Sequence, residues 1–258
     1  MGCRASPSSG CPRARERGPP NVAPVTSYVV VHGAWHGAWC WDELAPLLGG
    51  HVEAVDLPGH GADTTPVAGC TLDAYVARVV EALERAPEPA VLVGHSLGGI
   101  TVAQAAEQRP DLVRAAVFLA AYLPRHGESG YGLARLDTAS AITPDCCVMR
   151  AGEGLLDLVP ERIRAAMYDG CPQALADAAV ARLCPEPLKP MGTPVALTPE
   201  RFGSVERVYA LCLRDRIVTP TLQRQLVAAQ PCRVVELDAG HSPFLSHPRE
   251  LAAALASV

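Results

Sequence analysis

The chain is predicted to be an α/β protein built on a mostly parallel, doubly wound sheet, and three observations support this. From Val25 onward, short β-branched runs alternate with longer segments of helical period, the pattern that lays helices over a parallel sheet. The short runs are almost continuously apolar, as strands covered on both faces require. The alternation breaks once, between residues 125 and 203, where helix-like stretches occur without a convincing strand; this predicts an inserted helical cap.

Taken in order, the strand candidates are Tyr28 to Val31, Val52 to Asp56, Ala90 to Val93, Ala115 to Leu119, Val208 to Leu213 and Arg233 to Leu237. Helices are expected over Leu72 to Leu83, opened by Thr71 as N-cap, and over Ile100 to Gln108, stopped by Pro110. The cap shows helical character around Pro160 to Tyr168 and Gln173 to Leu183. Met149, Met167 and Met191 all fall inside it, and methionine adapts to irregular apolar shapes, so together they favour an adaptable pocket.

Composition limits the function classes. A chain of 258 residues, 49% apolar and 19% charged, suits one large domain, here 24–258. A net charge of −5 offers no basic surface for nucleic acid, and no apolar run is long enough for a membrane span. Residues 1–23, rich in Pro, Gly, Ser and Arg, are expected to form a disordered tail without the apolar stretch of a secretory signal, which predicts a cytoplasmic protein. Met1, Gly2 and Ser6 match the N-myristoylation pattern. Lys189 is the only lysine among many arginines, a bias of GC-rich bacterial coding in which that acylation is not expected. The ten cysteines show no CxxC pair and no Cys/His spacing suited to zinc, so neither a disulfide scaffold nor a metal is implied, and the vicinal Cys146 and Cys147 read as loop or cap filler. Nothing in the sequence speaks to oligomeric state.

Chemistry concentrates at Val91 to Gly99, VLVGHSLGG. An apolar strand, the pentapeptide GHSLG and a helix-period segment form the G-x-S-x-G nucleophile elbow in its required context. Ser96 must sit on a tight, strained turn with its hydroxyl exposed, and Gly94 and Gly98 remove side chains that would clash there. A serine hydroxyl needs a base to become a nucleophile, and the base needs an acid to orient it. Asp215 follows the strand VYALCLR, and His241 lies in LDAGHSPF after RVVEL, each at a carboxyl end where ligands meet an open α/β sheet. His247, just before a helix, is the rival base. Asp238, on the same strand and loop as His241, is the rival acid. His60 and His95 are assigned structural roles.

Stabilising an oxyanion calls for backbone donors after the nucleophile and in the loop following an early strand, which nominates Leu97 and Ala34. All three tryptophans fall in that loop. Trp39 and Trp41 read as core anchors, whereas Trp35, adjacent to Ala34, is the candidate to line the acyl pocket.

YVVVHGAWHGAWCW, DLPGHG, GHSLGG, CLRDRIV and AGHSPFLSHP together resemble the α/β-hydrolase branch containing plant methylesterases, hydroxynitrile lyases and bacterial carboxylesterases such as pyrethroid hydrolases. The resemblance spans nearly everything after Val25 and is weakest in the cap. It implies the α/β-hydrolase fold and cofactor-free cleavage of small, hydrophobic carboxylic esters, with a small-molecule ester as substrate. The lyases carry a Thr in the oxyanion loop and a Lys after the catalytic His, where this chain has Gly33 and Ser242. That departure favours esterase over lyase. The same residues would also serve a cyclase, lactonase or thioesterase in natural-product tailoring, and the fold also hosts ligand receptors.

Overall fold

The computed structural model describes residues 1–3 and 26–258, so most of the expected N-terminal tail, with the Ser6 of the acylation pattern, lies outside the described residues. In chain order the strands are β1 (Ser27–Val31), β2 (His51–Val55), β3 (Ala90–His95), β4 (Val113–Leu119), β5 (Cys147–Arg150), β6 (Leu155–Leu158), β7 (Glu186–Pro187), β8 (Arg207–Cys212) and β9 (Arg233–Leu237). Six of them form one sheet in the order β2-β1-β3-β4-β8-β9, with every neighbouring pair parallel. All six expected strands therefore lie in one sheet.

Successive strand residues point to opposite faces, and the two apolar sets cover two helical layers. Val29, Val31, Leu92 and Phe118 pack with buried residues of α1 (Leu72–Arg85) and α2 (Gly98–Gln108). Tyr28, Val30, Val91 and Val93 pack instead against Trp39, Trp41 and Leu44 of the loop after β1. The α1 helix begins where Thr71 Oγ1 accepts the Ala74 N–H at 3.1 Å, and Leu72, Tyr75, Val76, Val79 and Leu83 supply its buried stripe.

The cap segment carries α3 (Gly130–Ala134), α4 (Pro160–Met167), α5 (Gln173–Val180) and α6 (Leu188–Gly192). It also carries the antiparallel sheet β5-β6-β7, which the expectation of a strand-free cap missed. These strands have two to four residues, too short for a period of two to show against a helical background. The methionines divide: Met167 is buried against the core, Met191 faces a cavity, and Met149 on β5 is exposed, so the shared-pocket expectation holds for Met191 alone. Lys189 on α6 is exposed. After the cap come α7 (Pro220–Ala229), α8 (Pro243–Ser246) and α9 (Pro248–Ala256). Every described cysteine is a free thiol. Among the described residues, no helix is long and apolar enough to cross a membrane.

The chain goes from β1 out to β2 and returns on the other side of β1 to β3, so the strand order reverses between β1 and β3. A crevice at the carboxyl ends is expected at such a point. Gly33 and Ser96 follow the two strands there.

Candidate active site

Ser96 follows β3 with φ of 52°, one of three non-glycine residues with positive φ among the described residues; the others, Trp35 (62°) and Ala120 (45°), also follow strands of the same edge. Such backbone costs on the order of 1–3 kcal/mol per residue and persists only where surroundings enforce it. Here the Ser96 N–H donates to the Leu119 carbonyl at 3.2 Å, while the Ser96 carbonyl accepts from Tyr122 N–H at 3.1 Å and Gly99 N–H at 3.2 Å. Close approach explains two glycines: a Cβ on Gly98 would lie 2.5 Å from the His32 carbonyl oxygen, and one on Gly33 would lie 2.8 Å from Ser96 Cβ.

His241, in the loop after β9, directs Nδ1 to Asp215 Oδ2 at 2.8 Å, and both side chains are almost wholly buried. Asp215 Oδ1 accepts the Ile217 and Val218 N–H groups at 2.7 and 3.1 Å. Gln223 Nε2 lies 3.3 Å from Oδ2. The rival acid is elsewhere: Asp238 is 73% exposed and pairs with Arg214 at 3.1 Å. The rival base His247 contacts the neighbouring Ser246 hydroxyl at 2.9 Å. His95 joins the serine turn to the histidine loop, since its Nε2 donates to the His241 carbonyl at 2.8 Å and the two rings lie 4.5 Å apart.

Among the described residues, neither the Ala34 nor the Leu97 amide donates a hydrogen bond within the protein, and both residues border the same cavity as Ser96. The peptide groups around Ala34 are tied from behind. His32 Nδ1 donates to the Gly33 carbonyl at 2.8 Å, and His36 Nδ1 donates to the Ala34 carbonyl at 2.7 Å. A trans peptide points its N–H opposite its C=O, so anchoring the Gly33 carbonyl to His32 aims the Ala34 N–H the other way. Each histidine accepts at Nε2, His32 from Leu57 N–H at 3.1 Å and His36 from the Tyr168 hydroxyl at 3.0 Å, which identifies both as neutral. Burial, more than neighbouring histidines, lowers the pKa of His32 and His95 well below the ordinary imidazole value and takes His36 down to about 4.

Trp35 borders the cavity, and all three of its polar groups are held by the cap. Its amide donates to Glu186 Oε2 at 3.0 Å, its indole N–H to the Leu156 carbonyl at 2.9 Å, and its carbonyl accepts the Cys184 N–H at 2.9 Å. Glu186, Gln223 and the cavity residue Tyr122 were not singled out by sequence, because none of them sits in a motif, and Glu186 meets its partners only across 126 to 151 positions of chain. The cavity encloses about 160 Å³ under the cap, and its lining, including Leu97, Ile142, Leu156 and Met191, is mainly apolar and contains no cationic side chain. Ser242, after His241, is buried with its hydroxyl donating to the Met167 carbonyl at 2.7 Å. Among the described residues, no group of three or more His, Cys, Asp or Glu side chains is arranged to hold a metal ion.

The chain is similar to known proteins over nearly all of its described length. Methylesterase 10 of Arabidopsis thaliana is 34% identical over 253 residues, covering 90% of each chain. An alpha-hydroxynitrile lyase of the same plant is 31% identical over 90% of this chain and 96% of its own. The crystal structure of a pyrethroid hydrolase from Sphingobium faniae JZ-2 superposes with a TM-score of 0.80 at 28% identity, covering 91% of this chain and 97% of that one. Residues 28–254 match the alpha/beta hydrolase family, and the chain belongs to it.

Proposed function

We propose that the protein is a serine carboxylesterase that cleaves small, hydrophobic carboxylic esters through an acyl-enzyme intermediate. The observation that carries this reading is the buried 2.8 Å contact from His241 Nδ1 to Asp215, next to a serine turn flanked by two undonated amides. Asp215 holds the ring so that Nε2 is the basic nitrogen. That nitrogen takes the Ser96 hydroxyl proton as Oγ bonds to the ester carbon, and the carbonyl electrons move to oxygen. The Ala34 and Leu97 N–H groups stabilise the oxyanion. Collapse expels the alkoxide, which receives the proton from His241. A water then repeats the sequence on the acyl-enzyme and releases the acid. Trp35 and the apolar lining suit a neutral, hydrophobic ester group.

Two relatives are named for ester cleavage and one for cyanohydrin cleavage, so the branches need separating. Departing cyanide carries negative charge, yet no cation lines the cavity and the Ser242 hydroxyl is committed to Met167. Ester hydrolysis is therefore favoured. The test is hydrolysis of p-nitrophenyl acetate with mandelonitrile as competitor reaction and a serine-directed phosphonate as label. The expected result is fast esterolysis, weak cyanohydrin cleavage, a mass shift on the Ser96 peptide, and loss of about a million-fold in kcat for Ser96→Ala. Labelling elsewhere, or kcat/KM on mandelonitrile comparable to that on the ester, would overturn the reading.

A further inference from the structure

Glu186 is a carboxylate buried at 1% exposure, in the two-residue strand β7 of the cap. One oxygen, Oε2, accepts both the Trp35 N–H at 3.0 Å and His60 Nε2 at 2.9 Å. The other, Oε1, has no hydrogen-bond partner among the described residues. Burial would lower the His60 pKa, but the charge and hydrogen bond of Glu186 outweigh it and raise the value. A buried carboxylate with an unused oxygen destabilises a fold relative to an apolar side chain of the same size, so packing alone does not explain this residue.

Its partner does. The Trp35 N–H belongs to the peptide group immediately after Ala34, in a turn whose φ of 62° is unfavourable for a tryptophan. The Ala34 carbonyl of that peptide is fixed from the opposite side by His36. With both ends tied, the plane cannot rotate, and the Ala34 N–H one peptide earlier keeps its direction into the cavity. Without Glu186, the turn could relax toward negative φ and carry Ala34 with it. Resting on the reading of Ala34 as an oxyanion donor, we infer that Glu186 is a positioning residue: reaching from the cap, it sets the geometry of the oxyanion hole by gripping the Trp35 amide with the same oxygen that His60 Nε2 holds in place. A misplacement of about 1 Å at such a donor lowers the rate by ten- to hundredfold.

The experiment compares Glu186→Leu, which keeps volume and removes the acceptor, with Glu186→Gln, which keeps both size and an acceptor. Glu186→Asp, which retains the charge but falls short of the amide, serves if the Leu variant does not fold. For each protein the measurement is inhibition by an aryl trifluoromethyl ketone, whose adduct with a serine is an oxyanion, relative to the parent methyl ketone, which binds without one. Wild type is expected to favour the fluoroketone strongly. Leu or Asp should reduce that ratio about ten- to hundredfold and lower kcat on an aryl acetate in parallel, with KM within about twofold, whereas Gln should stay within about threefold of wild type. A strong wild-type preference left unmoved by Leu or Asp, or lost equally in Gln, would overturn the role of Glu186 alone. A wild-type ratio near one would overturn the serine-esterase reading and this inference with it.

Discussion

At the scale of single residues, the clearest expectation concerns the acid. Asp215→Asn would keep the shape of the site while disturbing the tautomer of His241, and a loss of about ten-thousandfold in kcat is expected. Asp238→Asn removes only one side of an exposed pair with Arg214 and should change kcat by less than about tenfold, surface pairs contributing about 0–1 kcal/mol. Steady-state kinetics of the two variants decide the matter, and the reverse order would move the acid to Asp238. Gly33→Ala provides a second measurement. Its methyl group would meet Ser96 Cβ at 2.8 Å, so the loop or the serine turn must shift, and kcat is expected to drop about tenfold or more with little change in KM. Unchanged kcat in Gly33→Ala would mean that the crevice yields more than its contacts imply.

At the scale of elements, α7 links the acid to the sheet. Gln223, fully buried, donates to the Val218 carbonyl at 2.6 Å, and its oxygen accepts the Cys212 N–H at 3.0 Å as β8 ends. Gln223→Leu would leave these backbone groups unpaired, and a destabilisation of about 2–4 kcal/mol is expected, together with slower turnover, since the Asp215 turn loses its support. Urea titration alongside kcat checks both; a loss of stability without any loss of turnover would separate Gln223 from the acid. The main strands and α1 and α2 were legible in the sequence because their signals are local: apolar runs bounded by turns, Thr71 before a helical stripe, and Ser96 between glycines. The elements that were not legible depend on distance. The β5-β6-β7 strands take their stability from pairing with one another, and Glu186 looks like any acidic residue between prolines until the fold brings it to Trp35, 151 positions away.

At the scale of the whole molecule, the parallel sheet gathers five strand ends along one edge, which brings together residues as far apart as Gly33, Ser96, Tyr122, Asp215 and His241, of which all but Tyr122 were singled out in the sequence. The same gathering buries His32, His36 and His95 as neutral rings. Their folded pKa values lie below that of the unfolded chain, so unfolding takes up protons as the pH falls through about 6.5. Stability should accordingly be full above about pH 7 and fall toward pH 5, with a limiting slope of about 4 kcal/mol per pH unit for three sites. His60, with its value raised, acts in the opposite sense: its contribution is present below the ordinary imidazole value and fades as the pH rises through the folded one. Denaturant midpoints at pH 7.5, 6.5 and 5.5 should decline at the acidic end, and a flat profile would contradict neutral burial of the rings. Another consequence follows from the exposed Lys189, the chain's only lysine, on α6 two positions before Met191 of the cavity wall. Amine-reactive reagents have a single side-chain target in this protein, so a fluorophore or solid support attached at high pH would join the cap at one defined point, and a dye there would report on the cap as ligands enter beneath it.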